Sequence, residues 1–234
     1  MTVAAAPDYW HDVPGPRARA ARAARPLASA LVRSAFKVRL HNFDVIPAGG
    51  PVILASNHTS ILDGPLLYAL VKRPVHALVK QEMFAGPAGV ALRAIGQIPV
   101  DRFACDPVAV KDCLAVLHRG DVLAIYPEGT RGPGGFEQIK PGVAYLALCT
   151  GAPVVPVAAL GCSPAPGSAK GLPRLRTSID VVAGAPIQTR PVPWPRRRDM
   201  VRERADELAD SLRDHVRHAC ALTGRELPGV RGAS

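Results

Sequence analysis

Residues 51–70 read Pro-Val-Ile-Leu-Ala-Ser-Asn-His-Thr-Ser-Ile-Leu-Asp-Gly-Pro-Leu-Leu-Tyr-Ala-Leu, and that order decides the fold. The apolar run 51–55 predicts a buried strand. Pro65 suits the first turn of a helix, where a missing N–H costs nothing, and Asp63 just before it is a candidate cap. A histidine, His58, thus stands in a strand-to-helix turn with a carboxylate five residues on. Within one continuous helix a step of five turns a side chain by about 140°, so the two would face apart. They meet only if the helix begins between them, as Pro65 predicts. A carboxylate holding one imidazole nitrogen leaves the other free to take a proton. The same residues also describe an ordinary turn histidine beside a helix cap.

Working outward, three further stretches carry chemistry. Gly96-Gln97-Ile98-Pro99-Val100-Asp101-Arg102 ends on a guanidinium, which makes paired hydrogen bonds to phosphate. A surface arginine paired with Asp101 or Asp106 is the plain alternative. The predicted strand 121–126 runs into Pro127-Glu128-Gly129-Thr130-Arg131-Gly132, at the strand end where α/β sheets place ligands. Gly129 lets a backbone come close, and Thr130 and Arg131 can donate to phosphate. Glu128 cannot bind phosphate; it is expected to orient Arg102 or Arg131, or to accept a substrate hydroxyl. Residues 141–169 carry no charge, but Gly151, Pro153 and Pro156 break the run. A buried helix over 143–149, a turn and a strand over 154–160 fit it better than a membrane span.

Together these blocks resemble the signature of the glycerolipid acyltransferases, the 1-acylglycerol-3-phosphate acyltransferase group in particular. Asn57-His58-x4-Asp63 is similar to the first family motif, the block ending at Arg102 to the second, and Pro127-Glu128-Gly129-Thr130-Arg131 to the third. Val154-Val155-Pro156-Val157-Ala158 resembles the fourth; a proline is awkward in a central strand, so Pro156 is expected at an edge or beside the acyl chain. The resemblance implies His58 and Asp63 as the catalytic pair. It implies Asn57, Arg102, Glu128, Gly129, Thr130, Arg131 and, from a family lysine, Lys140 as substrate-binding. It implies no bound cofactor, only an acyl-CoA or acyl carrier protein as donor substrate.

Charge and cysteines bound the partners. The chain of 234 residues has net charge +10, and residues 1–40 hold seven Arg/Lys against Asp8 and Asp12. Such an excess suits nucleic acid, an anionic membrane face or phosphorylated substrates; few aromatics and no nucleic-acid-reading pattern put nucleic acid last. Over residues 17–40, Arg25, Ser29, Arg33 and Lys37 form a stripe at steps of four, with Leu27, Ala28, Leu31, Val32, Ala35 and Phe36 opposite. That describes a helix lying in an anionic membrane surface, or one packed on its own domain with a solvated charged face. Small bacterial members of the resembling family carry a membrane-binding helical element at this place. Tyr9 and Trp10 are candidate interface anchors, and residues 1–16 lack the apolar core of a signal peptide. Five cysteines without metal-type pairing read as free thiols in a reducing cytoplasm. His215 and His218, one helical step apart, lack a visible third metal ligand.

The expectation is therefore an α/β protein. A single glycerolipid-acyltransferase-like domain over 41–225 would hold a mixed, mostly parallel central sheet flanked by helices, preceded by an N-terminal amphipathic element over 1–40. The resemblance implies transfer of a fatty acyl group from a thioester to the free hydroxyl of a lysophosphatidate at the cytoplasmic face of the membrane. Acylation of another lipid acceptor, such as a glycolipid or ornithine lipid, and lipid binding without turnover are the alternatives.

Overall fold

The computed structural model describes residues 16, 18–163 and 172–228; Tyr9, Trp10 and Arg17 lie outside them. The chain order is α1 (Ala18–Ala35), β1 (Lys37–His41), β2 (Val52–Ser56), α2 (Asp63–Leu70), β3 (Val75–Lys80), α3 (Gly86–Ala94), β4 (Ile98–Val100), α4 (Pro107–His118), β5 (Val122–Ile125), α5 (Gly142–Thr150), β6 (Val154–Leu160), β7 (Ser178–Ala183) and α6 (Arg198–Thr223). Seven strands form one sheet in the order β1-β7-β6-β2-β5-β3-β4. Every neighbouring pair is parallel except β6 with β7. This is the mixed, mostly parallel α/β architecture expected from the sequence.

The central strands read as continuous apolar runs because helices cover both faces of the sheet. Ile53 and Ala55 of β2 face the side packed by Leu114, Leu117, Val143, Leu208 and Leu212 of α4, α5 and α6. Val52 and Leu54 face the other side, with Val32, Leu66, Leu67 and Leu70 of α1 and α2. The period of two thus sends alternate side chains into two cores. Strands β2, β5, β3 and β4 run parallel and end at one edge of the sheet, so the turns after them gather there.

Three segments depart from expectation. The helix predicted over 17–40 stops at Ala35, and Lys37–His41 becomes β1, paired in parallel with β7. A boundary after residue 40 therefore runs through a strand of the sheet. The apolar side predicted for that helix is divided: Val32 and Phe36 are buried, whereas Leu27 and Leu31 are 66% and 60% exposed. The helix is held on α2 by the Tyr68 hydroxyl, which donates to the Ala21 carbonyl at 2.7 Å. Pro156 lies in β6, between β2 and β7, rather than at an edge. It is tolerated because the β6–β7 ladder starts only at Val157; Pro156 accepts from the Gly184 N–H and has none to return. The uncharged segment forms α5 and β6 as predicted, and among the described residues no helix is long and apolar enough to cross a membrane.

The outer strands are tied to the chain's end by Asp180 of β7, whose side chain is 1% exposed. It accepts from Arg39 Nε and Nη2, both at 2.7 Å, from His41 Nε2 at 2.9 Å and from Arg225 Nε at 3.1 Å. Burial alone would raise this carboxyl, but hydrogen bonds from Arg39, His41 and Arg225 outweigh it and hold it at about 2. A depressed folded-state value means stability present above the unfolded value of 3.8 and lost as pH falls towards 2. Between pH 4 and 2, denaturant melts of the native protein should lose about 2 kcal/mol more than those of Asp180→Asn. Parallel losses in the two proteins would contradict the assignment.

Candidate active site

His58 sits two residues past the end of β2, and its Nδ1 donates to Asp63 Oδ2 at 3.0 Å. The helix does begin between them, though one step earlier than Pro65 suggested: Asp63 is the first residue of α2 and Leu62 the cap position. The Asp63 side chain folds back over the turn instead of capping its own helix. Its Oδ2 also accepts the backbone N–H groups of Thr59 and Ser60, each at 2.8 Å. Three donors thus converge on one fully buried oxygen. With the proton on Nδ1 committed to Asp63, Nε2 is the basic nitrogen. The His58 side chain is 22% exposed, whereas that of Asp63 is at 0%.

The third motif closes over this turn. Glu128 Oε2 accepts the His58 N–H at 3.0 Å and Oε1 accepts the Phe136 N–H at 3.4 Å. Gly132 N–H donates to the His58 carbonyl at 2.9 Å. Burial pushes the Glu128 carboxyl up, and the two N–H donors offset part of that shift. Gly134, at φ +80°, permits the approach: a Cβ there would lie 2.6 Å from Thr59 Cγ2. The Tyr126 ring stacks on the imidazole, centroids 4.4 Å apart at 29°.

Lys140 ties the second motif to the third. Its Nζ donates to the Arg102 carbonyl at 2.9 Å, and its stem lies over Gly129, where a Cβ would be 2.6 Å from Lys140 Cε. Arg102 does not pair with Asp101 or Asp106, because both carboxylates hold backbone N–H groups. Asp106 accepts from Asp101, Val108 and Ala109, and Asp101 accepts from Phe103. The Arg102 guanidinium lies 5.6 Å over the Phe103 ring, and its Nε is buried with no hydrogen-bond partner among the described residues. Thr130 and Arg131 are exposed, just before the Gly132 that bonds the His58 carbonyl.

Three expectations change in character. Asn57 is fully buried and spent on β6: its Nδ2 donates to the Ala159 carbonyl at 3.1 Å, and its Oδ1 accepts the Ala159 N–H at 2.8 Å. It anchors the turn to the sheet instead of facing a substrate. Glu128 is engaged by backbone amides and, among the described residues, forms no ion pair with Arg102 or Arg131. Gly129 makes room for Lys140 rather than directly for a ligand. Sequence reasoning missed Tyr126, read only as the end of a strand. It also missed Cys162, a buried thiol raised by burial and by the nearby Asp63. Position 126, immediately before Pro127 at a strand end, was the one available signal. His215 donates to the Val182 carbonyl at 3.1 Å, and a cavity of about 440 Å³ beside it shares no residue with the dyad.

A histidine–carboxylate pair thus lies at the strand ends of an α/β sheet, with Lys140 tying the Arg102 loop to the Gly129 turn. Residues 37–160 match the family model described as Acyltransferase, which is more than half of the chain, and the chain belongs to that family. A 1-acyl-sn-glycerol-3-phosphate acyltransferase of Bacillus subtilis is 28% identical over 152 residues, covering 64% of this chain and 73% of its own. A chloroplastic 1-acyl-sn-glycerol-3-phosphate acyltransferase of Arabidopsis thaliana is 31% identical over 141 residues, 57% of this chain but only 39% of the plant protein. The crystal structure of the 1-acyl-sn-glycerophosphate acyltransferase from Thermotoga maritima superposes with TM-score 0.60 at 21% identity, covering 88% of this chain and 79% of that one. That likeness is one of fold.

Proposed function

We propose that this acyltransferase moves a fatty acyl group from an acyl thioester, acyl-CoA or acyl carrier protein, to the free hydroxyl of 1-acylglycerol-3-phosphate, giving phosphatidate. The observation that carries the reading is the His58 Nδ1–Asp63 Oδ2 hydrogen bond, which leaves Nε2 as the base. The hydroxyl oxygen attacks the thioester carbonyl while Nε2 takes its proton. The C–S bond then breaks, and the imidazolium returns the proton to the leaving thiol. General-base help of this kind contributes about 10²–10⁴ in rate. The sequence has no G-x-S-x-G elbow, which favours direct transfer over a covalent enzyme intermediate.

Arg102, Thr130, Arg131 and Lys140 bind the acceptor phosphate in this reading. The buried, unpartnered Arg102 Nε supports it, as does the tether from Lys140 to the same loop. Asn57, Glu128 and Gly129 hold the loops that present these groups. The exposed Leu27 and Leu31 beside the basic residues of α1 support peripheral seating on an anionic bilayer, at its cytoplasmic face.

Assays of the purified protein with labelled acyl thioester and a panel of lysolipids test the proposal, and the arginines sharpen it. Arg102→Ala and Arg131→Ala should each raise KM for lysophosphatidate about 10- to 100-fold, the worth of a charged hydrogen bond. A phosphate-free acceptor should be little affected. Equal losses on both acceptors would remove the arginines from the phosphate site.

A further inference from the structure

The Asp63 hydrogen bond fixes His58 at one nitrogen only. A ring held at a single point in its own plane can still tilt about the Nδ1···Oδ2 line, and tilting swings Nε2 away from any hydroxyl it is to serve. Catalytic groups must be held within roughly 10–20° of productive geometry. Something else must stop the tilt, and it has to press on a face of the imidazole.

Tyr126 is placed to do so. It follows β5 directly, and its carbonyl accepts the Gly129 N–H at 2.9 Å, so the third motif's first turn holds its backbone. Its ring lies 4.4 Å from the imidazole, centroid to centroid. Behind, it packs against the apolar core shared with α1 and α2. Its hydroxyl is directed towards the first turn of α2, where a Cβ on Gly64 would be 3.9 Å from the oxygen. That hydroxyl is buried and has no hydrogen-bond partner among the described residues. A buried hydroxyl without a partner does not stabilise the fold, so the ring, not the oxygen, accounts for the residue's place here.

We infer that Tyr126 is a positioning residue: its ring fixes the plane of the His58 imidazole and keeps Nε2 aimed at the acceptor hydroxyl. This rests on His58 acting as the base, as proposed above. Aromatic stacking supplies the restraint, so phenylalanine replaces tyrosine and an aliphatic side chain does not.

The test compares Tyr126→Phe, Tyr126→Leu and Tyr126→Met in thioester-dependent acylation of lysophosphatidate, with thermal melts and NMR of the His58 ring protons. Tyr126→Phe should keep kcat within about threefold, with a melting temperature no lower than the native protein's. Tyr126→Leu and Tyr126→Met should lose at least about tenfold in kcat with KM within about twofold, while still melting cooperatively. The His58 ring protons should be shifted upfield by the stacked ring in the native protein and in Tyr126→Phe, and should lose that shift in the aliphatic variants. An aliphatic variant with unchanged kcat overturns the inference. So does a Tyr126→Phe loss as large as that of Tyr126→Leu, which would move the role to the hydroxyl. The NMR shift is read without turnover, so its absence from the native protein overturns the inference alone. Undiminished transfer by His58→Ala would instead sink the proposed function.

Discussion

Replacing His58 by alanine should lower thioester-dependent turnover at least about 100-fold while leaving lysophosphatidate binding within about twofold. In the proposed reaction the imidazole meets the acceptor only through Nε2, and the phosphate contacts proposed for Arg102 and Arg131 do not run through it. The fold should tolerate the change, because the backbone of residue 58 keeps its bonds to Glu128 and Gly132. Steady-state kinetics and equilibrium binding of labelled lysolipid separate the two quantities. A lipid-binding protein without turnover predicts no thioester-dependent product from either version.

Asp63 should be costlier, because one oxygen holds both the proposed base and two backbone N–H groups. Asp63→Ala frees His58 Nδ1 and strands the N–H groups of Thr59 and Ser60, both buried residues. Each stranded donor costs about 1–3 kcal/mol, so stability and turnover should fall together. Asp63→Asn separates the two effects. Its carbonyl oxygen can still accept both N–H groups, so the melt should recover much of the loss. The negative charge that stabilises the imidazolium is gone, so turnover should stay at least about 100-fold down. Recovery of turnover in Asp63→Asn would mean that the charge is not used.

These expectations come from residues of unequal legibility. The dyad could be read in sequence because a local rule decides it: a helix starting between His58 and Asp63 lets them meet. The buried strands were legible for a similar reason, since runs such as Val154–Leu160 have apolar side chains for both faces. β1 was not, because Lys37 and Arg39 are exposed on an outer strand, His41 is half-buried, and Lys37 continues the basic stripe of α1. Pairing with β7, 141 residues further on, makes it a strand. The roles of Asn57 and Glu128 were hidden in the same way. Each is set by a backbone group far along the chain, Ala159 for one and His58 for the other, and residue type alone does not reveal which partner wins. Arg102 was legible as a guanidinium but not as an unpaired one. That depends on Asp101 and Asp106 both turning to backbone N–H groups.

The most direct test is a single-turnover, rapid-quench experiment. Labelled acyl thioester is mixed with excess protein and lysophosphatidate, with His58→Ala run in parallel. Label should pass from thioester to phosphatidate without accumulating on the protein, and the alanine variant should leave the thioester intact on the same timescale. Transfer by the variant at the native rate, or label held covalently on the protein, would contradict a base formed by His58 and Asp63.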